Sequence, residues 1–510
     1  VSKTKKKPKD PASMRVLFVT PECYPLVKTG GLADVSAALP PALNRAGAEV
    51  RLLLPGYPAV LNGLSDLQPV GKPLTDLPGT DRPGSAPATL RIGRTPDGVL
   101  AYVLDAPALY DRPGNPYLGP DGKDWPDNAE RFAALSWCAA GFAAEDGLDP
   151  WWRPDVLHGH DWQTGLIPAY LELRPDRFAG PFRPGTVTTI HNIAYQGLFG
   201  AWMMSDLGLP SAAFRIDGVE YYGGVGFLKA GCFYSDRLTT VSPTYAHEIQ
   251  TAEHGSGLEG LLATRAEALT GILNGVDYDI WDPAIDPHIA ARYGAADLGG
   301  KDLCKADLQA TFGLDRRADA PLAAVVSRLT GHKGLDLVLE AASQWIAWGG
   351  QLAVLGNGEP ALEAGFRHLA TWYPKSVGVR IGYDEALSHR IQAGADLFLV
   401  PSRSEPCGLT QMYALKYGTL PLVRRTGGLA DTIVDANPAA VNDGSATGFQ
   451  FVNANVQELT WALRRAAALY RKPERWHAMQ QHAMTRDFGW HGPAEEYMEL
   501  YRAVAPVVVG

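Results

Sequence analysis

Short apolar runs alternate with helical patterns along nearly the whole chain. That alternation decides the fold class, because it is the pattern of strands and crossover helices in an α/β protein built on parallel sheets. It comes in two series. Strand-like runs cover residues 15–20, 48–54, 99–104, 155–158, 186–190 and 237–241. A break rich in Asp, Pro, Gly and Ala follows around 275–320, and a second series has runs at 321–326, 351–355, 377–381 and 396–400. A chain of 510 residues is too long for one ordinary core, so the two series mean two large domains. The first helix is expected over 32–46, with a break at Pro40-Pro41. Residues 128–144 and the tail from Val456 read as helical. Residues 56–98, rich in Pro, Gly and Asp, give no readable period.

One hexapeptide, Thr-Gly-Gly-Leu-Ala-Asp, occurs in both series, at residues 29–34 and 426–431. Each copy follows a strand-like run and a cation, Lys28 in the first case and Arg424-Arg425 in the second, and each precedes an apolar helical stretch. Paired glycines at a helix start let a ligand approach the backbone, and the helix end offers N–H groups and a positive dipole. Two readings stand side by side. Either two helix N-termini face one anionic or polyhydroxyl ligand across a cleft, or these are two ordinary strand-to-helix turns.

Charge and cysteine usage narrow the partners. The formal net charge of −9 argues against nucleic acid as a partner of the body of the chain. Five lysines between Lys3 and Lys9 form a Pro-containing tail before Met14; it reads as disordered or as added residues, with a localisation or surface-binding arm as the second reading. No run of about 18 apolar residues and no secretory leader is visible, so a cytoplasmic, membrane-free protein is expected. Cys23, Cys138, Cys232, Cys304 and Cys407 are odd in number and far apart, without CxxC or Cys/His spacing. This pattern suits reduced thiols and no zinc site.

Ligands of open α/β sheets sit at the carboxyl ends of strands, so the polar residues ending each run are the chemical candidates. Arg328 ends one run and Lys333 follows five residues later across a glycine turn, with Gly408 opening a helix further on. Two fixed cations and free helix amides suit a diphosphate, most of all when it gains charge as a leaving group. The alternative is a pair of solvated surface cations. Asp161 ends another run beside Trp162, a pairing that suits a sugar. Glu405 also lies between a strand and a helix, and His191 ends a strand, where a lone histidine is more often structural. Neither GxGxxG nor GxxxxGK[ST] follows either first strand, which weakens a dinucleotide oxidoreductase or an ATPase reading.

Taken together, Lys28-Thr-Gly-Gly-Leu32, His160-Asp161-Trp162, Thr189-Ile-His-Asn192, Leu273-Asn-Gly-Val276, Ser327-Arg-Leu-Thr330 with Lys333-Gly334, and residues 401–411 leading into Thr426-Gly-Gly-Leu429 resemble the bacterial-type glycogen synthases, the ADP-glucose-dependent glycogen and starch synthase family. The resemblance runs from about Met14 to the C-terminus. It implies two Rossmann-like domains facing a deep cleft, the glycosyltransferase B fold. The implied boundaries are a tail at 1–13, an acceptor-side domain at 14–273, a nucleotide-sugar domain at 274–488, and a helix at 489–510 returning to the first domain.

The implied activity is retaining transfer of glucose from ADP-glucose to the non-reducing 4-OH of an α-1,4-glucan, with no metal and no other cofactor. By the same resemblance Arg328 and Lys333 hold the diphosphate, and Glu405, Asp161 and His191 line the transferred glucose. Lys28, Gly30 and Gly31 lie at the donor phosphates, Tyr117, Trp162 and Asn274 near sugar or acceptor, and Tyr383 near adenine. Asp34, Cys407, Gly408, Leu409, Thr410, Gly427 and Gly428 complete the implied substrate-binding set. Two positions depart from the family pattern: Tyr413 stands where many relatives of this fold have a second glutamate, and Asn357, between Gly356 and Gly358, stands where a smaller residue is expected. A UDP-glucose enzyme, a glucan phosphorylase and a non-catalytic glucan-binding protein are the competing readings.

Overall fold

The computed structural model describes residues 13–80 and 86–506. The lysines of the N-terminal tail lie outside the described residues. The chain divides into two compact units. The first comprises residues up to Val241, Ala246–Ile272 and the residues from Trp490 on; the second comprises Ser242–Tyr245 and Leu273–Gly489. The short Ser242–Tyr245 piece therefore clusters with the second unit although the first series continues after it.

The first unit is built on a nine-stranded sheet. Its strands are β1 (Met14–Val19), β2 (Ala48–Pro55), β3 (Ser65–Leu74), β4 (Ala88–Arg94), β5 (Leu100–Asp105), β6 (Val156–His160), β7 (Gly185–Ile190), β11 (Arg237–Thr240) and β12 (Leu269–Gly271). A separate three-stranded sheet uses β8 (Leu198–Gly200), β9 (Glu220–Tyr221) and β10 (Gly224–Gly226). The large sheet runs β12-β11-β7-β6-β1-β2-β5-β4-β3, parallel except for the β3–β4 hairpin at its edge and the pairing of β4 with β5. β1 is central: the chain sets β2 beside it, builds β3, β4 and β5 inward from the far edge, then crosses to the other side of β1 at β6. That reversal puts a crevice at the carboxyl ends of β1 and β6. β1, β6 and β7 are buried almost throughout, as parallel strands covered on both faces must be.

Two sequence expectations change here. The helix Gly31–Arg45 runs through Pro40 and Pro41 unbroken. Its apolar stripe of Leu32, Val35, Leu39 and Leu43 is buried on both sides of the prolines, and packing of such a face outweighs local propensity. The unreadable stretch contains the β3–β4 hairpin. β3 is mostly exposed and carries Pro69, Lys72 and Pro73, which suit an edge strand and erase the alternating pattern.

The second unit holds a six-stranded parallel sheet of β13 (Leu322–Val326), β14 (Gln351–Gly356), β15 (Val377–Ile381), β16 (Leu397–Val400), β17 (Leu420–Arg424) and β18 (Phe449–Phe451). Its order is β15-β14-β13-β16-β17-β18, so the reversal lies between β13 and β16. Each sheet has its own apolar core. The helix His491–Val504 completes the first core: Ala494, Tyr497, Met498 and Tyr501 are buried, and the Tyr501 hydroxyl meets His158 Nδ1 at 2.7 Å.

Candidate active site

In the first unit the β1–β6 crevice collects one carboxylate from each strand end. Asp161 follows β6 with backbone angles φ +57° and ψ −170°, a region that only glycine occupies without strain. The surroundings hold it there: its own N–H donates to Thr189 O (2.9 Å), and its Oδ1 accepts the N–H groups of His191 (2.7 Å) and Asn192 (3.4 Å). Burial pushes the Asp161 carboxyl up to about 7, the two amides pull against that, and the Glu22 carboxylate adds to it. His191 ends β7 beside it and stays neutral, burial lowering it to about 3.

Glu22, which the sequence reading passed over, organises the glycine loop. Its buried carboxylate accepts the Thr29 N–H and hydroxyl (both 2.5 Å), the Gly30 N–H (3.2 Å) and the Tyr117 hydroxyl. Two of the loop amides expected to face a ligand are therefore engaged by the chain's own carboxylate. Gly30 and Gly31 nonetheless border open space where a side chain would begin. Lys28 is exposed and pairs with Asp34 at 2.8 Å, a surface contact of small energy that a stronger anion can replace. Trp162 is packed among Phe132, Phe199 and Phe227, and Gly197 lies against its ring. Much of its aromatic surface is thus used by the core.

The second unit brings Lys333 and Glu405 together, residues 72 apart in sequence, at the β13–β16 crevice. Gly334 makes this possible: at φ +69° it lies so close to Pro401 that a Cβ would stand 2.1 Å from the Pro401 carbonyl oxygen. The adjacent Lys333 Nζ then donates to Glu405 Oε2 at 2.6 Å, and the Ser402 hydroxyl donates to the same oxygen at 2.8 Å. The Arg403 guanidinium, forked onto Asp336 at 2.7 Å on both arms, locks the two loops together. Burial alone would raise the Glu405 carboxyl; the Lys333 charge and hydrogen bond, with the Ser402 hydroxyl, outweigh it and hold the group below the usual glutamate range. Arg328 is exposed just past the end of β13.

Cys407, Gly408, Leu409 and Thr410 follow directly. The helix begins at Thr410 rather than at Gly408, so the amides of Leu409 and Thr410 head its first turn, where helical N–H groups have no intrahelical partner. Asn274 is buried, with its backbone N–H against the Cys407 sulfur. Tyr383 is 75% exposed and lines a cavity of about 350 Å³ with Leu355, Ile381, Thr311 and Arg390, at the ends of β14 and β15. Tyr413, in place of a second glutamate, stacks on Trp281 with ring centroids 4.0 Å apart.

The two copies of the hexapeptide do different work. At Gly427 and Gly428 a Cβ would stand 2.0 and 2.2 Å from the carbonyl oxygens of Glu405 and Cys407, and the Gly428 N–H donates to Pro406 O (3.1 Å). Arg424 is bound to the carbonyls of Arg403 and Val452. The second copy therefore buttresses the Glu405 loop with its glycines buried, and the expected free Gly428 amide is engaged. Asp431 caps Thr244, accepting its N–H (2.9 Å) and hydroxyl (2.7 Å), whereas Asp34 in the first copy pairs with Lys28.

Residues 15–264 match the starch synthase catalytic domain and residues 310–482 the group 1 glycosyl transferases. A glycogen synthase of Albidiferax ferrireducens is 53% identical over 97% of this chain and 99% of its own length. The chain belongs to the glycogen and starch synthase family. A glycogen synthase of Rhodopseudomonas palustris is likewise 53% identical, over 96% of this chain and 98% of its own. Among solved structures, the catalytic domain of starch synthase IV from Arabidopsis thaliana, bound to ADP and acarbose, superposes with a TM-score of 0.85 at 33% identity, covering 97% of this chain and all of that one. A sucrose-phosphate synthase from Thermosynechococcus elongatus, 17% identical with a TM-score of 0.57, shares the fold. The two units are thus the two Rossmann-like domains of the glycosyltransferase B fold. Among the described residues no group of three or more His, Cys, Asp or Glu side chains is arranged to hold a metal, and no helix is long and apolar enough to cross a membrane.

Proposed function

We propose that the chain transfers glucose from ADP-glucose to the non-reducing 4-OH of an α-1,4-glucan with retention at the anomeric carbon. The observation that carries the reading is the Lys333–Glu405 pair at the β13–β16 crevice, with Arg328 exposed past the end of β13, in a chain of this family. Arg328, Lys333 and the amides of Leu409 and Thr410 take the diphosphate. Their positive charge stabilises it most as the glucosyl–phosphate bond loosens and charge gathers on the departing oxygen. That oxygen accepts the proton of the acceptor hydroxyl as the new C–O bond forms on the same face. Glu405 and ionised Asp161 stabilise positive charge on the sugar ring, and His191 donates to a sugar hydroxyl. Tyr383 and its cavity take the adenine. Lys28 exchanges Asp34 for a donor phosphate, and Tyr117 and Trp162 meet sugar or acceptor by their edges. No metal is needed where two cations and helix amides already face the leaving group.

The test is ADP release and glucan lengthening with ADP-glucose and, separately, UDP-glucose. ADP release coupled to chain growth is expected with the first donor. Equal or faster turnover with UDP-glucose would assign the other nucleotide, and glucan binding without release of either nucleotide would mark a non-catalytic protein.

A further inference from the structure

His160 has no place in the chemistry above, yet it is fully buried, one residue before Asp161 and against His191. It lies between the rings of Phe18, 3.9 Å away between centroids, and His158, 4.1 Å away. Its Nδ1 meets His191 Nε2 at 3.0 Å. Its Nε2 is buried without a hydrogen-bond partner. We propose that His160 is a positioning residue that fixes the tautomer of His191, so that His191 presents an Nδ1–H donor to the glucosyl group. This rests on the reading of His191 as a sugar-site residue.

The argument is one of proton placement. Both rings are neutral, since burial lowers His160 well below its ordinary value and His191 to about 3. A neutral imidazole has one N–H and one acceptor nitrogen. If His160 carried its proton on Nε2, a donor would be buried with nothing to accept it, whereas the large majority of buried side-chain polar atoms are hydrogen-bonded. With the proton on Nδ1, the unpartnered atom is a bare acceptor, and the N–H has a partner in His191 Nε2. His191 Nε2 must then accept, which leaves its proton on Nδ1. Among the described residues His191 Nδ1 has no hydrogen-bond partner, and the residue is part-exposed beside Asp161.

The neighbouring rings admit no other supply of protons. His158 has both nitrogens filled, Nδ1 by the Tyr501 hydroxyl and Nε2 by Thr189 Oγ1 at 2.6 Å, and Thr189 is tied in turn to Thr239. His158 therefore packs His160 without exchanging a hydrogen bond with it. The His191 main chain is held by its N–H on Asp161, and its ring by Nε2 on His160. Such support by a neighbour is what turns a side chain at a strand end into a donor of fixed direction.

The experiment combines selective ¹⁵N-histidine labelling with kinetics on the full chain. In wild type, long-range ¹H–¹⁵N correlations should show His191 with a protonated Nδ1 and a bare Nε2. His160→Leu removes the donor, and His191 should shift towards the Nε2–H tautomer while kcat/KM for ADP-glucose falls about 10- to 100-fold, below the effect of deleting a transition-state donor outright. His160→Asn restores an N–H near the Nδ1 position and should recover most of both readouts. A wild-type His191 already in the Nε2–H form overturns the proposal, and this measurement needs no variant to fold. So does His160→Leu that keeps the Nδ1–H tautomer, whether or not it keeps activity. If wild type transfers no glucose from ADP-glucose, the functional reading fails while the spectrum still decides the tautomer.

Discussion

Removing Lys333 perturbs two things at once, and the structure separates them. Its ammonium is the only cation within hydrogen-bond reach of Glu405 among the described residues. Lys333→Ala should lower turnover about 10²–10³-fold, the effect of deleting one transition-state donor, or roughly 3–4 kcal/mol. It also strands a carboxylate whose side chain is 12% exposed. Breaking a buried pair from one side costs about 3–5 kcal/mol; since Lys333 keeps 21% of its own side-chain surface in water, about 3 kcal/mol is the reasonable figure here. With the ammonium gone, burial becomes the dominant influence on Glu405 and drives it above the usual carboxylate range. Glu405→Gln in the same background removes the stranded charge, so Lys333→Ala/Glu405→Gln should regain most of the lost denaturation midpoint without regaining turnover. The informative comparison is the double variant against Glu405→Gln alone, by ADP release. If Lys333 acts on the diphosphate, the double variant falls at least about tenfold further. Equal rates would mean that Lys333 serves only to hold Glu405, and the diphosphate role would be withdrawn.

Arg328→Ala should lower turnover by a similar factor while leaving the denaturation midpoint unchanged, because the guanidinium is exposed; near-normal turnover removes it from the site. In its proposed role Asp161 is ionised, so kcat/KM should fall as pH drops below about 7, and Asp161→Asn should abolish that limb along with most activity; a profile flat through pH 7 contradicts this. The same carboxyl has its folded-state value raised above the ordinary 3.8, so its contribution to stability is full below 3.8 and is lost as pH rises through about 7. Asp161→Asn should therefore raise the denaturation midpoint at pH 8. Activity should survive exhaustive chelation by EDTA, since Arg328 and Lys333 are the proposed partners of the leaving group; loss on chelation with rescue by Mg²⁺ or Mn²⁺ refutes this.

The central strands of both sheets were legible because parallel strands buried on two faces read as continuous apolar runs. β14 is expected at 351–355 and occupies Gln351–Gly356, and β6 and β13 differ from expectation by two residues or fewer at either end. The candidate residues ending those runs were legible for the same reason: in parallel sheets, strand ends are where ligands bind. What stayed hidden depended on tertiary pairing. β3 is an exposed edge strand with no alternating signal. Glu22 follows the end of β1, as Asp161 follows the end of β6, and the same rule applies to it. The Lys333–Glu405 contact spans two loops and depends on how closely Gly334 approaches Pro401. The two hexapeptides look identical in sequence, and only the packing distinguishes an open turn from a buried buttress.

The helix His491–Val504 follows the whole second unit in the chain, yet it packs into the first. On a ribosome, then, the second unit has all its residues before the first does, reversing the usual N-to-C order in which domains mature. Until that helix emerges, the nascent first unit lacks Tyr497 and Tyr501, and His158 on β6 stands without the two rings that pack on it and the hydroxyl that meets its Nδ1. A stop codon or proteolytic cut before His491 would leave every proposed catalytic residue in place and still release a chain with an unfinished first core, so quality control during synthesis, rather than chemistry, would decide its fate.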